Sequence, residues 1–279
     1  MPKLILDLTS ATKTDRTIIA FPPIGAGTEY FHDWLPVLSP ATSLRVVRLP
    51  GRQDLWDRQP ISELSRIIDL VATELRLNPP NQTAVVVGIC ATGLMAYALT
   101  HILTDSDETH IDALILNNTH LPTTAMQGLC KKFDVENPLM SAADSQILRR
   151  SFGLSEIDNA LTADGADSTW RQSILDEVWQ LSEPRIRADT LAVESYPYNL
   201  NPIRVPITSI QTRHDDFPSA DESRGWSAYT NAQFAYRELR SSNKNSSDAK
   251  MIVSEIENVL DILSSNRQAS AVYQHRLVD

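Results

Sequence analysis

The stretch TAVVVGICATGLMAYAL (residues 83–99) constrains this chain more than any other. Its first half is an uninterrupted apolar run rich in valine, the pattern of a strand buried on both faces. A sharp turn follows, with Cys90 at its tip, and then a helix. Strands buried on both faces belong to parallel sheets covered by helices. The tip residue of such a turn has two readings: a nucleophile held out for reaction, or a small side chain filling a tight corner.

The rest of the chain repeats the alternation. RTIIAF (16–21), SLRVVRL (43–49), DALILNN (112–118), VPITSIQT (205–212) and AQFAYRELR (232–240) read as strands. TEYFHDWLPVL, ISELSRIIDLVATELRL (61–77), SADESRGWSAYT and DAKMIVSEIENVLDIL (248–263) read as helices. Residues 123–200 carry helical pattern with no clear strand. The expected architecture is α/β, a mostly parallel sheet with helices on both faces and an inserted helical lid. Its core spans 1–120 and 204–265, its lid 121–203, and a polar C-terminal tail 266–279. Open α/β sheets bind ligands beyond the carboxyl ends of their strands. Cys90, the PPIGAG loop (22–27), Asn117 to His120 and His214 to Asp216 all follow strand ends, so four segments converge on one crevice.

A strand–turn–helix elbow suits acyl chemistry. It exposes the tip side chain, sets it at the positive end of a helix and supplies a backbone N–H for an oxyanion. The familiar G-x-S-x-G pattern is altered here: Gly88 is kept, Cys90 replaces serine, and the second glycine falls one place later, at Gly93.

Charge narrows the partners. The net charge of −10 argues against binding a phosphate backbone, and no Lys/Arg cluster offsets it. No apolar run reaches membrane-spanning length, so neither nucleic acid nor membrane is an expected partner. The opening MPKLILDLTS lacks a secretory pattern, and two cysteines make no disulfide framework; a cytoplasmic location is expected. There is no metal-ligand spacing and no phosphate-binding glycine loop, so no metal or cofactor is expected.

FPPIGAGTEYFHDWLPVL followed by VVRLPGRQD resembles the type II thioesterases of polyketide and nonribosomal peptide assembly lines. Those enzymes carry an F-P-H-A-G-G loop, a helix with W-x-x-x-L, and an L-P-G-R segment. The likeness runs through the elbow and resumes at PITSIQTRHDDFPSADESRGW, covering most of the chain outside the lid. The resemblance implies an α/β-hydrolase fold and an acyl substrate tethered to the phosphopantetheine of an acyl or peptidyl carrier protein. Carried over by position, Cys90 takes the nucleophile's place, the N–H groups of Ala91 and Ile24 form the oxyanion hole, and Asp215 is the acid, with Asp216 the near miss. Pro23, Gly25 and His214 fall where substrate would lie.

One departure is serious. The family's histidine follows the last strand, where this chain reads RELRSSNKNSSDAK; Asn243 falls roughly where the histidine would be. A serine without its base stays protonated and nearly inert. A cysteine with an ordinary pKa of about 8.5 is already roughly 3% thiolate at neutral pH, so the exchange and the loss are compatible. Among the other histidines, His110 precedes a strand, His101 and His275 read as surface residues, and His32 begins a helix near the mouth. His120 follows the strand expected beside the nucleophile strand, about 5 Å across the sheet. It is the best surrogate base, against a plain loop histidine. Some assembly-line thioesterases, and the cysteine-dependent Dieckmann cyclases that resemble them, place an acid where Asn117 stands. Asparagine can orient a histidine but cannot balance its charge.

The leading expectation is a thioesterase-like off-loading enzyme that releases product by hydrolysis, cyclisation or acyl transfer. Its rivals are a Dieckmann-type cyclase forming a tetramate or pyridone ring, a catalytically dead binding protein on the same fold, and a generic esterase.

Overall fold

The computed structural model of the chain describes residues 3–9, 14–80, 83–106, 109–123, 161–163, 165, 167–199, 201–212, 218–239 and 248–275. Contacts divide it into two compact units, one comprising 1–48, 68–121 and 198–279, the other 49–67 and 122–197.

The first unit holds a seven-stranded sheet. Its strands are β1 (Ile5–Asp7), β2 (Arg16–Phe21), β3 (Thr42–Val47), β4 (Thr83–Ile89), β5 (Ala113–Asn117), β6 (Ile207–Thr212) and β7 (Phe234–Leu239). The spatial order is β1-β3-β2-β4-β5-β6-β7. Only β1, against β3, is antiparallel. The expected α/β architecture is therefore found. β4 is buried along its whole length, as its unbroken apolar run demands.

Side-chain alternation divides the core between two faces. Ile18, Ala20, Val85, Val87, Ile89, Ala113, Ile115 and Ile210 pack with Ala249, Ile252, Val253, Ile256 and Leu260 of the final helix. The intervening Gly88 turns instead toward Gly93 and Ala96 on the helix that follows the elbow. The helices of the sheet's two faces are thus fixed by parity alone.

Numbered along the chain, the helices are α1 (Leu64–Leu77), α2 (Gly93–Ser106), α3 (Ser168–Ser195), α4 (Ala220–Gly225) and α5 (Ala249–His275). α5 runs against the strand direction, and polar contacts set its position lengthwise. Ser264 bonds Thr83 at the start of β4, and Arg267 pairs with Asp112 just before β5 at 2.9 Å. Glu257 accepts from Ser39 N, Thr42 Oγ1 and Arg16 Nη1. Asp248, nine residues before Glu257, lies about 14 Å along the helix axis from it, toward the carboxyl ends of the strands.

Several elements differ from expectation. β1 was not expected: it has three residues, and its partner lies some forty residues on. Glu74 of α1 secures it by accepting from the amides of Leu4 and Ile5. The segment expected as a helix after PPIGAG is a 3-10 helix over Thr28–Trp34. Its three-residue period stacks Thr28, Phe31 and Trp34 on one buried face. α5 continues helically to His275, well into the stretch expected as a polar tail.

In the second unit, Arg52, the arginine of LPGR, is buried against Asp189 of α3. Nη1 donates to Oδ2 at 2.9 Å and Nη2 to Oδ1 at 2.7 Å, with both side chains at most 3% exposed. This planar fork is the geometry that guanidinium and carboxylate share. Truncating Asp189 to alanine strands a buried cation. It should cost about 3–5 kcal/mol in urea unfolding, whereas the double variant Arg52→Met, Asp189→Leu should recover most of that loss.

Candidate active site

The elbow is built by close approach. An atom added at Gly88 would collide with the Gly93 backbone and lie 2.8 Å from Ala96 Cβ, so β4 and α2 meet without side chains between them. Thr119 fills the other side: its Oγ1 and Cγ2 occupy the space that a Cβ on Gly93 would need. That is why the second glycine stands at 93 here. The Thr119 hydroxyl lies within hydrogen-bond reach of Cys90 O (3.0 Å) and Asn117 O (3.3 Å). The Thr92 hydroxyl reaches Ile89 O (2.7 Å) and Pro22 O (2.8 Å), tying the turn to the loop after β2.

At the tip Cys90 has φ +57, the left-handed region that costs any side chain strain. It is half-buried at the mouth of the turn. The loop after β2 makes its own tight turn, with Ala26 N–H donating to Pro23 O at 3.0 Å and Gly25 at φ +74. A turn of that form calls for glycine at its third position.

A cleft of about 300 Å³ opens over these strand ends, lined by Pro23, Tyr30, Ile89, Cys90, Asn117, Asn118, Thr212, Asp248 and Ile252. Register explains the set: Ile89 pairs with Asn117, and Asn117 with Ile210. All three lie on the face that α5 covers. Asn118, at φ +48, clamps the end of β6. Its Nδ2 donates to Thr212 Oγ1 (2.7 Å), and its Oδ1 accepts from Thr212 N (3.0 Å).

Cys90, Asn117 and Pro23 thus share the cleft, while Gly25 and the buried Ile24 belong to its loop. Ala91 is buried directly behind the tip. His120 is not among the lining residues. After Thr119 the chain turns beneath α4, where Trp226 Nε1 donates to Thr119 O, and His120 Nδ1 faces Glu222 Oε1 at 2.9 Å. The half-buried carboxylate of Glu222 holds the ring of His120, the expected surrogate base, away from the residues that line this cleft. His101, expected at the surface, is buried on α2 between Asp105 and Asn201 O. His214, Asp215, Asp216 and Asn243 lie outside the described residues.

Two cleft residues were not singled out from sequence. Tyr30 stands on the exposed side of the 3-10 helix, and Asp248 precedes α5. Asp248 was legible as a helix start, but its height over Cys90 depends on the lengthwise position of α5. Tyr30 keeps part of its ring in solvent, but desolvation of its phenol where it packs into the cleft wall pushes it up to about 12, and the nearby Cys90 and Asp248 add to the rise. Tyr30 is thus a neutral hydroxyl at physiological pH, held beside two groups that carry negative charge when ionised.

A mostly parallel sheet ending in a strained strand–turn–helix tip, with a cleft over that tip at the carboxyl edge, is the α/β-hydrolase fold. The sequence matches the thioesterase domain model over residues 16–260, and the chain belongs to that family. The gramicidin S biosynthesis protein GrsT of Aneurinibacillus migulanus is 22% identical over 221 residues, covering 78% of each chain. Two solved structures are similar in fold. BorB, a type II thioesterase from the borrelidin biosynthetic cluster, has 20% identity, 95% and 97% coverage and a TM-score of 0.65. YbtT, a type II thioesterase from the yersiniabactin NRPS/PKS pathway, has 18% identity, 92% and 97% coverage and a TM-score of 0.66. Among the described residues, no helix is long and apolar enough to cross a membrane.

The environment of Tyr30 has a direct readout. The difference in tyrosinate absorbance between wild type and Tyr30→Phe should titrate near 12 rather than near 10. With the folded value raised, Tyr30 favours the native state fully below pH 10 and loses that contribution as pH climbs toward 12. Tyr30→Phe should accordingly flatten the alkaline fall in stability over that window.

Proposed function

We propose that the protein is a cysteine-dependent thioesterase that off-loads an acyl group from the phosphopantetheine of a carrier protein. The observation that carries this reading is Cys90 held at φ +57 on the elbow tip, opening into the cleft. Strain of this kind holds a side chain where relaxed backbone would not. The similarity to GrsT, a gramicidin S biosynthesis protein, to BorB, a type II thioesterase of a biosynthetic cluster, and to YbtT, a type II thioesterase of an NRPS/PKS pathway, supports the carrier-bound substrate.

Cys90 Sγ attacks the thioester carbonyl, and the amides of Ala91 and Ile24 take the developing oxyanion. The tetrahedral intermediate collapses by breaking the bond to the pantetheine sulfur, which leaves as a thiolate with the bonding pair and takes a proton from solvent. The acyl group is then held as a thioester on Cys90. A thiol can do this without the paired histidine that a serine needs, because its ionised fraction is appreciable near neutral pH. No role here rests on His120; Asn117 forms part of the cleft wall beside the reacting carbonyl. Release by ring closure, as in a Dieckmann-type cyclase, differs only in what attacks the acyl-enzyme.

Intact-protein mass after mixing with an acyl-pantetheine thioester tests the reading. Wild type should gain one acyl group and Cys90→Ala none, with free acid as the released product. A cyclic product would assign ring closure instead. No adduct across several chain lengths, with Cys90 also inert to alkylation, would identify a binding protein on a hydrolase fold.

A further inference from the structure

We propose that Asp248 is the general base for the second half of the reaction, activating the water that hydrolyses the acyl-Cys90 thioester. The inference rests on the cysteine reading above and deepens it.

Three observations converge. Asp248 lines the same cleft as Cys90, entering from the α5 side, while Cys90 rises from the ends of the strands. Among the described residues its Oδ1 is buried with no hydrogen-bond partner. Tyr30, in the same cleft wall, feels the charges of both Cys90 and Asp248, which places all three groups around one small volume. A buried carboxylate oxygen without a donor costs folding free energy, about 1–3 kcal/mol or more for a charged group. Native proteins rarely leave such an atom unpaired unless water or a ligand completes it. Asp248 also presents part of its surface to the cleft, and that is where the hydrolytic water meets its carboxylate.

The chemistry divides the labour between the two half-reactions. Asp248 is a poor partner for the free thiol, because an adjacent carboxylate disfavours a thiolate. Once Cys90 is acylated its sulfur is neutral, and that conflict disappears. Water oxygen then bonds to the acyl carbon while its proton passes to Asp248. The carbon–sulfur bond breaks with its electron pair going to Sγ, and the proton on Asp248 moves to sulfur. The product is a carboxylic acid, and both thiol and carboxylate are restored. Tyr30, protonated throughout, can donate to the water or to the departing sulfur.

Time-resolved intact mass on wild type, Asp248→Asn and Asp248→Ala separates the two half-reactions. Acylation in Asp248→Asn should stay within about threefold of wild type. Decay of its adduct should slow at least about 100-fold, the scale of a lost general base. Hydroxylamine, which needs no base, should clear the adduct equally in both, and added formate should restore part of the decay in Asp248→Ala. An adduct that clears from Asp248→Asn at the wild-type rate, or that persists on the wild type itself, overturns the base and leaves the nucleophile standing. No adduct on the wild type overturns both.

Discussion

The contact on which the site depends is the bare approach of β4 to α2. Gly88 and Gly93 remove the side chains that would separate strand from helix, and Thr119 enters the space left beside Gly93. The same hydroxyl reaches the carbonyl of Cys90, so the packing that admits Thr119 also fixes the tip. The turn is tied on two sides by threonine hydroxyls: Thr119, just after β5, reaches the Cys90 carbonyl, and Thr92 of the turn itself reaches Pro22 O in the loop after β2. A single methyl group added to either glycine would reach the tip through packing alone.

The cleft is then closed by a long-range device. α5 is held at the amino ends of the strands by Glu257, Ser264 and Arg267, and these contacts determine what its first residue meets at the opposite end. The arrangement converts helix length into position: a rise of 1.5 Å per residue leaves little freedom over where Asp248 stands. Residues remote from the chemistry therefore set its geometry. Tyr30 is placed by a different means, the three-residue period of a 3-10 helix that buries Phe31 and Trp34 and leaves Tyr30 to the cleft.

Much of this was legible in one dimension. The unbroken run of β4, the turn at Cys90 and the alternation of strands and helices are local patterns, and local patterns survive folding. The cleft residues Cys90, Asn117 and Pro23 follow from the rule that strand ends gather ligands. What escaped is what depends on distance along the chain. β1 needs a partner from β3, and its three residues carry no periodic signal. His120 was placed by strand adjacency, but adjacency says nothing of rotation, and Glu222 of α4 holds its ring. Arg52 of LPGR looked like a marker of family alone; its work is a buried fork with Asp189, distant in sequence.

The backbone of residue 90 carries a final implication. At φ +57 glycine would be the relaxed choice, and a side chain there costs on the order of 1 kcal/mol or more. A chain shaped by durability alone would put no side chain at that corner. The strain is borne by a peptide scaffold tethered through Thr119 and Thr92, so the corner works as a socket. The corner thus spends folding free energy to hold one side chain at the edge of the cleft, a cost that packing alone would never ask for.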